Sequence, residues 1–340
     1  MIMSTGLVQA NKKYKLLTLI AIVFLCSCNC LIKPDNNIRY KLEQNWPQLP
    51  ADYVLGNPTG IGIDSHQNII VFQRAERQWP IIGAMPVTLI PSKTVIVLDR
   101  KTGNIINSWG DNLFIMPHGL TVDKDDNIWV TDVGLQQVFK FDYDGKLLMK
   151  LGEERIAGND AAHFNMPTDV AVANDGSFYV SDGYGNSRIV KFSANGKYIS
   201  QWGSRGNKEE QFNIPHAVCL DDKGNVYVAD RENKRIEVFD SNGKFLKQLT
   251  NKNFGRICSI TYDSIDKDVF AVDDKTSFFN LRHNGSDIII LDSAGNIITN
   301  FGRSGLYDGP KCWYHDIAVD NEQNIYVEDI LGNHLQKFKK

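Results

Sequence analysis

The stretch MPHGLTVDKDDNIWVTDVGLQQVFKF, residues 116–141, decides the fold of this chain. It contains a Pro-His step, an alternating apolar run, an Asp-rich turn, a second alternating run that ends in Asp, and a third run. Apolar alternation predicts strands, and the Asp, Asn and Gly residues between the runs predict hairpin turns. The stretch is therefore predicted to form strand, turn, strand, loop and strand.

The same unit recurs along the chain. It returns as MPTDVAVANDGSFYVSDGYGNSRIVKF at 166–192 and as IPHAVCLDDKGNVYVADRENKRIEVF at 214–239, and weaker copies begin near residues 57, 257 and 314. No segment shows a sustained helical period. Six units of about 45–60 residues with four strands each predict an all-β, six-bladed β-propeller over residues 39–340. The last unit ends after three strands, so we expect IRYKLEQ at 38–44 to supply its outer strand.

The amino terminus is predicted to export the chain. Residues 16–25, LLTLIAIVFL, follow a lysine-containing segment and are too short to span a bilayer, which is typical of a signal peptide. The following Leu-Cys-Ser-Cys resembles the lipobox of bacterial lipoproteins, with Cys28 as the lipidated residue. We expect a signal peptide over 1–28, a polar tether over 29–38, and an exported, membrane-anchored lipoprotein on the periplasmic or outer face. The alternative is a plain signal peptide or a single amino-terminal anchor.

The composition of the chain limits which partners it is expected to bind. A formal net charge of −3 leaves no basic footprint for nucleic acid. The cysteines after the tether are Cys219, Cys258 and Cys312, and their spacing does not show which two, if any, form a disulfide. A closed propeller needs no partner to cover its edges, so a monomer is expected.

A histidine recurs at one register of the repeat. Five residues before the position that closes the first strand of each unit, the chain carries, in order, Thr59, His118, Thr168, His216, Cys258 and His315. Equivalent positions in alternate blades of a six-bladed ring lie about 120° apart around the axis. Three imidazoles are thus expected to converge in the central channel and to bind Zn²⁺ with one position left open. The alternative is three hydrogen-bonded structural histidines. The other four histidines, which show no such register, are assigned to surface or loop positions: His66, His163, His283 and His334.

A second set of polar residues follows the second strand of three units. That strand is antiparallel to the first, so its end returns to the face where the histidines lie. Arg74, Tyr184 and Arg231 are expected to surround the same channel mouth. An arginine fork suits a carboxylate, and a tyrosine beside a cation can serve as a base. The alternatives are ion pairs of Arg74 with Glu76 and of Arg231 with Glu232, and packing of Tyr184 on a blade edge.

The phrases PHGLTVDKDDNIWVTDVGLQQVFKF, PTDVAVANDGSFYVSDGYGNSRIVKFSANGKYISQWG and PHAVCL with VADREN resemble the peptidyl-α-hydroxyglycine α-amidating lyase family. The resemblance extends over about residues 40–338 and is strongest in the second to fourth units. It implies a six-bladed propeller of the NHL-repeat type. It also implies cleavage of a peptide with a C-terminal α-hydroxyglycine to an amide and glyoxylate, as in peptide amidation.

The resemblance implies a role for each matching residue. The zinc ligands would be His118, His216 and His315, and the active-site residues would be Tyr184, Arg74 and Arg231. A structural Ca²⁺ would be bound by the backbone carbonyls of Ile61 and Leu120 and by Asp316, oxygen ligands that this hard cation favours.

The chain departs from the family at two places. Gly185 stands where animal members carry a disulfide-forming cysteine after the active-site tyrosine, and Trp313-Tyr314 replaces the Met-Pro that usually precedes the last histidine.

Two other functions remain open on sequence grounds. A lipid-anchored propeller of this type can be a non-catalytic binding or sensing scaffold. A propeller lactonase is less consistent with the sequence, because such enzymes hold Ca²⁺ with acidic side chains and Asn, whereas His, Thr and Cys occupy the inner strands here.

Overall fold

The computed structural model describes residues 40–80, 83–275, 285–302 and 312–340. The predicted signal peptide, Cys28, the tether and His283 lie outside these residues. Within them the chain contains no helix, and so none long and apolar enough to cross a bilayer. It forms six four-stranded antiparallel sheets and one short parallel pair, Ser204–Arg205 with Gln211–Phe212. The all-β, six-bladed propeller is confirmed.

The first five blades run outward from the channel in chain order, and the last blade takes its outer strand from the amino-terminal segment. The innermost strands are Pro58–Ile63, Pro117–Val122, Asp169–Val172, Pro215–Leu220, Arg256–Asp263 and Tyr314–Val319. The second strands are Ile69–Gln73, Ile128–Asp132, Phe178–Asp182, Val226–Asp230, Asp268–Asp274 and Ile325–Asp329. The third strands are Val95–Leu98, Gln137–Phe141, Arg188–Phe192, Arg235–Phe239, Asp287–Leu291 and His334–Lys339. The outer strands are Ile105–Trp109, Leu147–Leu151, Tyr198–Trp202, Phe245–Thr250, Ile297–Gly302 and, in the last blade, Lys41–Leu42.

The Asp-rich turn of the repeat closes the first hairpin of a blade. Asp123 accepts hydrogen bonds from the backbone N–H groups of Asp125 and Asn127 and from the Asn127 amide. Asp126 adopts φ of 60°, a left-handed conformation that a β-turn of this kind requires and that Gly224 provides in the fourth blade at φ of 78°. This local chemistry sets the hairpin register, and with it the height of the histidine in the channel.

Apolar side chains pack between the facing surfaces of neighbouring blades. Trp129 of the second blade packs on Phe178 of the third at 4.6 Å between ring centroids, and Trp202 of the third packs on Phe239 of the fourth at 5.7 Å. These rings are buried or nearly so. Burial of large aromatic side chains therefore stabilises the contact between adjacent blades.

The amino-terminal segment closes the ring, as the sequence predicts. Lys41 pairs with Lys339 and Leu42 with Phe338, so this strand becomes the outer strand of the last blade. Tyr40 stacks on Phe301 at 5.5 Å and the buried Trp46 packs edge-on against Tyr326 at 5.2 Å.

Deletion of residues 38–50 is expected to lower the melting temperature by at least about 10 °C. It removes two buried aromatic side chains, each worth about 3–5 kcal/mol, and leaves the third strand of the last blade as an open edge. Differential scanning calorimetry measures the change. The control is Lys41→Ala, which keeps the backbone pairing of an exposed residue. A deletion variant that melts with the parent chain would show that closure does not stabilise the ring.

Candidate active site and metal centre

The three histidines of the repeat converge in the channel. His118, His216 and His315 are each 6 % exposed or less. Their imidazole centroids are 4.8–5.0 Å apart, and ring nitrogens of the three lie within 4.8 Å of one another. The sequence prediction of a converging trio agrees with this geometry.

Each imidazole is oriented by the backbone of the next blade. The Nδ1 atoms of His118, His216 and His315 lie 2.7, 2.6 and 2.9 Å from the carbonyl oxygens of Thr168, Cys258 and Thr59. A carbonyl only accepts, so Nδ1 donates its proton in all three and Nε2 carries the lone pair. The alternate blades that lack histidine thus supply the acceptors that fix the tautomer.

The charge state agrees with this tautomer. Burial lowers the pKa of His315 to about 3, with the positive charge of Arg74 adding to the effect. Burial also holds the pKa values of His118 and His216 well below the ordinary value, helped by His315 and Arg74 for the first and by Arg231 for the second. All three rings are therefore neutral at pH 7. Three neutral, fixed imidazole nitrogens form a donor set that zinc favours.

Tyr184 lies at the open side of the histidine trio. Its hydroxyl oxygen is 3.1 Å from Nε2 of His118 and 3.0 Å from Nε2 of His216. A hydroxyl has one proton and can donate to only one of the two nitrogens at a time. Tyr184 is thus in the site, rather than packed on a blade edge.

Arg231 contacts the same hydroxyl. Its Nη1 lies 3.4 Å from the Tyr184 oxygen, and its guanidinium carbon lies 5.4 Å from the centroid of the Tyr184 ring. Glu232 accepts from Nε at 3.0 Å and also pairs with Arg256 at 3.4 Å. Arg231 does form the ion pair with Glu232 that the sequence offers as an alternative, but that pair aims the guanidinium at Tyr184.

Arg74 is buried, with 3 % exposure, and forms no ion pair with Glu76 or any other acid among the residues that the structure describes. Its Nε donates to the carbonyl of Pro117 at 3.1 Å. Burial lowers its pKa to about 10, so it stays a cation at neutral pH. Trp79 lies between Arg74 and Tyr184, with its ring 4.9 Å from the guanidinium carbon and 5.3 Å from the Tyr184 ring centroid.

A second layer of polar groups lies deeper in the channel. Ile61, Leu120 and Asp316 line one cavity of about 290 Å³ together with Asp169. Asp169 follows Thr168 and Asp316 follows His315, so both come directly after the residue at the histidine register. Their blades, the third and the sixth, lie opposite each other in the ring. Burial raises the pKa of Asp316 to about 6, and burial together with the Asp316 charge raises that of Asp169 well above its usual range. Two partly buried carboxylates in a channel lined by carbonyl groups form a donor set that suits a hard cation such as Ca²⁺.

The structure brings together every predicted site residue within its described part, but sequence reasoning missed several contributors. Asp169 could have been found from the register, because it follows Thr168 as Asp316, predicted from the family resemblance, follows His315. Trp79 carries no repeat signal, because it lies in a loop whose contacts become visible only in the folded ring.

The two departures from the family pattern have local structural consequences. A Cβ at Gly185 would come within 2.1 Å of the Asn165 side chain, so this position accepts only glycine as packed here. Tyr314 is fully buried and donates its hydroxyl to Gln336 at 2.7 Å. Trp313 lies 5.9 Å from the guanidinium carbon of Arg256. No disulfide joins Cys219, Cys258 and Cys312 to one another.

The fold and the site define a class of protein, a six-bladed propeller with a three-histidine centre at one channel mouth. The NHL repeat family matches residues 114–141, 164–192 and 212–239, which are parts of the second, third and fourth blades. A gluconolactonase from Xanthomonas campestris superposes with a TM-score of 0.59 at 13 % identity, covering 84 % of this chain and 87 % of its own, and shows the fold alone.

Sequence relatives define the family. Peptidyl-alpha-hydroxyglycine alpha-amidating lyase 2 of Drosophila melanogaster is 33 % identical over 311 residues, covering 86 % of this chain and 73 % of the fly protein. The peptidylglycine alpha-amidating monooxygenase of Rattus norvegicus is 36 % identical over 327 residues, covering 90 % of this chain. The chain spans about a third of the length of that relative. It belongs to the peptidyl-α-hydroxyglycine α-amidating lyase family.

Proposed function

We propose that this chain cleaves peptidyl-α-hydroxyglycine substrates to a peptide amide and glyoxylate. The observation that carries the proposal is the position of the Tyr184 hydroxyl, 3.1 and 3.0 Å from two channel imidazoles and 3.4 Å from Arg231. A proton-transfer group next to a metal-ligand set and buried cations suits an anionic carbinolamide, R-CO-NH-CH(OH)-COO⁻. Family membership supports the same reaction.

We propose that His118, His216 and His315 bind zinc, because three neutral Nε2 atoms face one point and leave one position open. A bound zinc ion supplies Lewis acidity at the channel mouth. We also propose that the carbonyl groups of Ile61 and Leu120 and the carboxylate of Asp316 hold a structural Ca²⁺. The cavity that these residues line with Asp169 supports this second metal.

Tyr184 is the proposed base. As a phenolate it takes the proton of the substrate hydroxyl, the electron pair of that O–H bond forms the C=O bond of glyoxylate, and the C–N bond breaks. The electron pair of that bond passes to the amide nitrogen, which needs one proton. The reaction consumes as many protons as it releases, so Tyr184 can return the proton that it removed.

Arg74 is the proposed carboxylate-binding residue. Its only side-chain hydrogen bond among the described residues uses Nε, which leaves both Nη groups for a bidentate contact. Arg231 is already paired with Glu232 and directed at Tyr184, so it is better placed to stabilise the phenolate. The two arginines thus divide the roles of holding the substrate and supporting the base.

Arg74→Ala is expected to lower kcat/KM for glyoxylate release by about 10–100-fold, mainly through KM, because a charge-assisted bidentate contact is worth about 1.5–3 kcal/mol. Steady-state kinetics on α-hydroxyhippurate measures the change. Arg77→Ala is the control, since Arg77 lies three residues away in the same loop and bonds to Thr88 instead. Equal kinetics of the Arg74 variant and wild type would remove Arg74 from substrate binding.

The reaction is tested by its products. Incubation of the purified protein with α-hydroxyhippurate, followed by NMR, is expected to show benzamide and glyoxylate in equal amounts. A protein that holds its metals and binds the compound without cleaving it would be a scaffold, the second function that the sequence leaves open.

Localisation remains a proposal. We propose that the chain is exported and anchored by a lipid on Cys28, and that its propeller acts as a monomer. Labelling with a radioactive fatty acid in a bacterial host is expected to depend on Cys28, and Cys28→Ala is expected to abolish it.

A further inference from the structure

A second cluster of metal-ligating side chains lies outside the channel, in the last blade. Cys312 precedes the inner strand, Asp329 ends the second strand, and His334 begins the third. One ligand atom of each lies within 4.8 Å of the other two. Cys312 and Asp329 are buried, whereas the His334 side chain is 40 % exposed.

The equivalent position in other blades shows what has changed. In the third and fourth blades the acid that ends the second strand pairs with an arginine that begins the third: Asp182 with Arg188 at 2.9 Å, and Asp230 with Arg235 at 2.8 Å. In the last blade His334 occupies the arginine position opposite Asp329. Its Nδ1 lies 3.5 Å from Asp329 Oδ2, too far for a good hydrogen bond. The ion pair of those two blades is thus replaced by a carboxylate, an imidazole and a nearby thiol.

These three groups match the ligands of a zinc-type metal. Thiolate, imidazole and carboxylate all bind Zn²⁺, at about 2.0–2.3 Å. The other oxygen of Asp329 accepts from the backbone N–H groups of Trp313 and Leu331, which hold the carboxylate in place. A point among three atoms no more than 4.8 Å apart lies within about 2.8 Å of each, so binding requires the ligands to close by less than about 1 Å.

A neighbouring side-chain amide determines which ring nitrogen of His334 carries the proton. The Gln336 side chain lies 3.3 Å from His334 Nε2 and 2.7 Å from the Tyr314 hydroxyl. A side-chain amide can turn over, and a tyrosine hydroxyl both donates and accepts. As it stands, the amide nitrogen faces Nε2 and the amide oxygen accepts from Tyr314. When the amide turns over, Nε2 donates its proton to the amide oxygen and Nδ1 presents its lone pair to the cluster.

We propose that Cys312, Asp329 and His334 form a second, structural site for zinc or a similar transition metal. The thiol of Cys312 releases its proton to solvent on binding, and water completes the coordination on the exposed side of His334. The ion links the start of the inner strand to the third strand of the blade that closes the ring. This site does not depend on the proposed lyase reaction.

Cobalt substitution tests the proposal in the whole chain. The metal-free protein, reloaded with Co²⁺ in excess Ca²⁺, is expected to bind two cobalt ions and to show a thiolate-to-cobalt charge-transfer band in the near ultraviolet. Cys312→Ser is expected to lose the band and one cobalt ion. Cys258→Ser and Cys219→Ser are the matched controls, and the first matters most because Cys258 occupies a channel-ring position.

A second variant distinguishes loss of the metal site from misfolding of the chain. His334→Gln changes a half-exposed side chain and is expected to lose the same ion with the fold intact by circular dichroism. His118→Ala is expected to keep the thiolate band while it loses channel cobalt. A wild-type protein that binds one cobalt ion without a thiolate band would overturn the proposal, and so would a band that survives Cys312→Ser.

Discussion

Tyr184→Phe is expected to lower kcat for glyoxylate release by about 10²–10⁴-fold, the contribution typical of a positioned acid or base. The substitution removes one oxygen atom, which lies 3.0 Å from His216 Nε2 and 3.4 Å from Arg231. The ring and its contact with Trp79 stay in place, so folding and metal content are expected to match the wild type. Steady-state kinetics and metal analysis on the same preparation measure both quantities.

The matched control is Tyr179→Phe. Tyr179 lies in the second strand of the same blade and donates its hydroxyl to the carbonyl of Ser241 rather than to the channel. Its loss is expected to leave kcat unchanged. If Tyr184→Phe retained wild-type turnover, proton transfer in this protein would have to use another group.

His216→Ala is expected to remove zinc from the channel and to lower activity by more than about 100-fold. Loss of even a hydrogen-bonding partner of a metal ligand typically costs 10–100-fold in metal affinity or activity, and here a ligand itself is lost. Only two of the three convergent imidazoles would remain. Metal analysis after dialysis against a weak chelator, with glyoxylate release in parallel, measures the effect.

His163→Ala is the control for this variant. His163 is partly exposed and pairs with Asp160 and Glu153 in a surface loop. Its removal is expected to change neither metal content nor turnover. A His216 variant that kept both its zinc and its activity would contradict the trigonal centre, whereas one that lost zinc but kept activity would make the metal structural.

The register of the repeat carried most of what could be predicted. The turn that follows each inner strand is local in sequence, so the spacing of Asp123 and Asn127 reveals where a strand ends and how high His118 lies in the channel. Because the blades are related by pseudosymmetry, residues at the same register of the repeat lie at the same height in the channel. This is why a pattern in the chain predicted a meeting of His118, His216 and His315.

The repeat pattern did not predict the contacts between blades. The carbonyl that orients His118 belongs to Thr168, 50 residues away, and the Glu232–Arg256 pair joins two blades. Backbone carbonyls leave no signature in side-chain spacing. The cluster at Cys312 was missed for a related reason, since His334 stands outside the histidine register and its position opposite Asp329 comes from strand pairing.

The most direct test is glyoxylate release from α-hydroxyhippurate by the purified protein, measured before and after removal of zinc by a chelator and again after zinc is restored. The proposed mechanism predicts turnover that disappears with the zinc and returns with it. Sustained absence of glyoxylate from the zinc-loaded, folded protein would contradict the lyase function, and release that is unaffected by complete removal of the metal would contradict a catalytic role of the metal at the three-histidine centre.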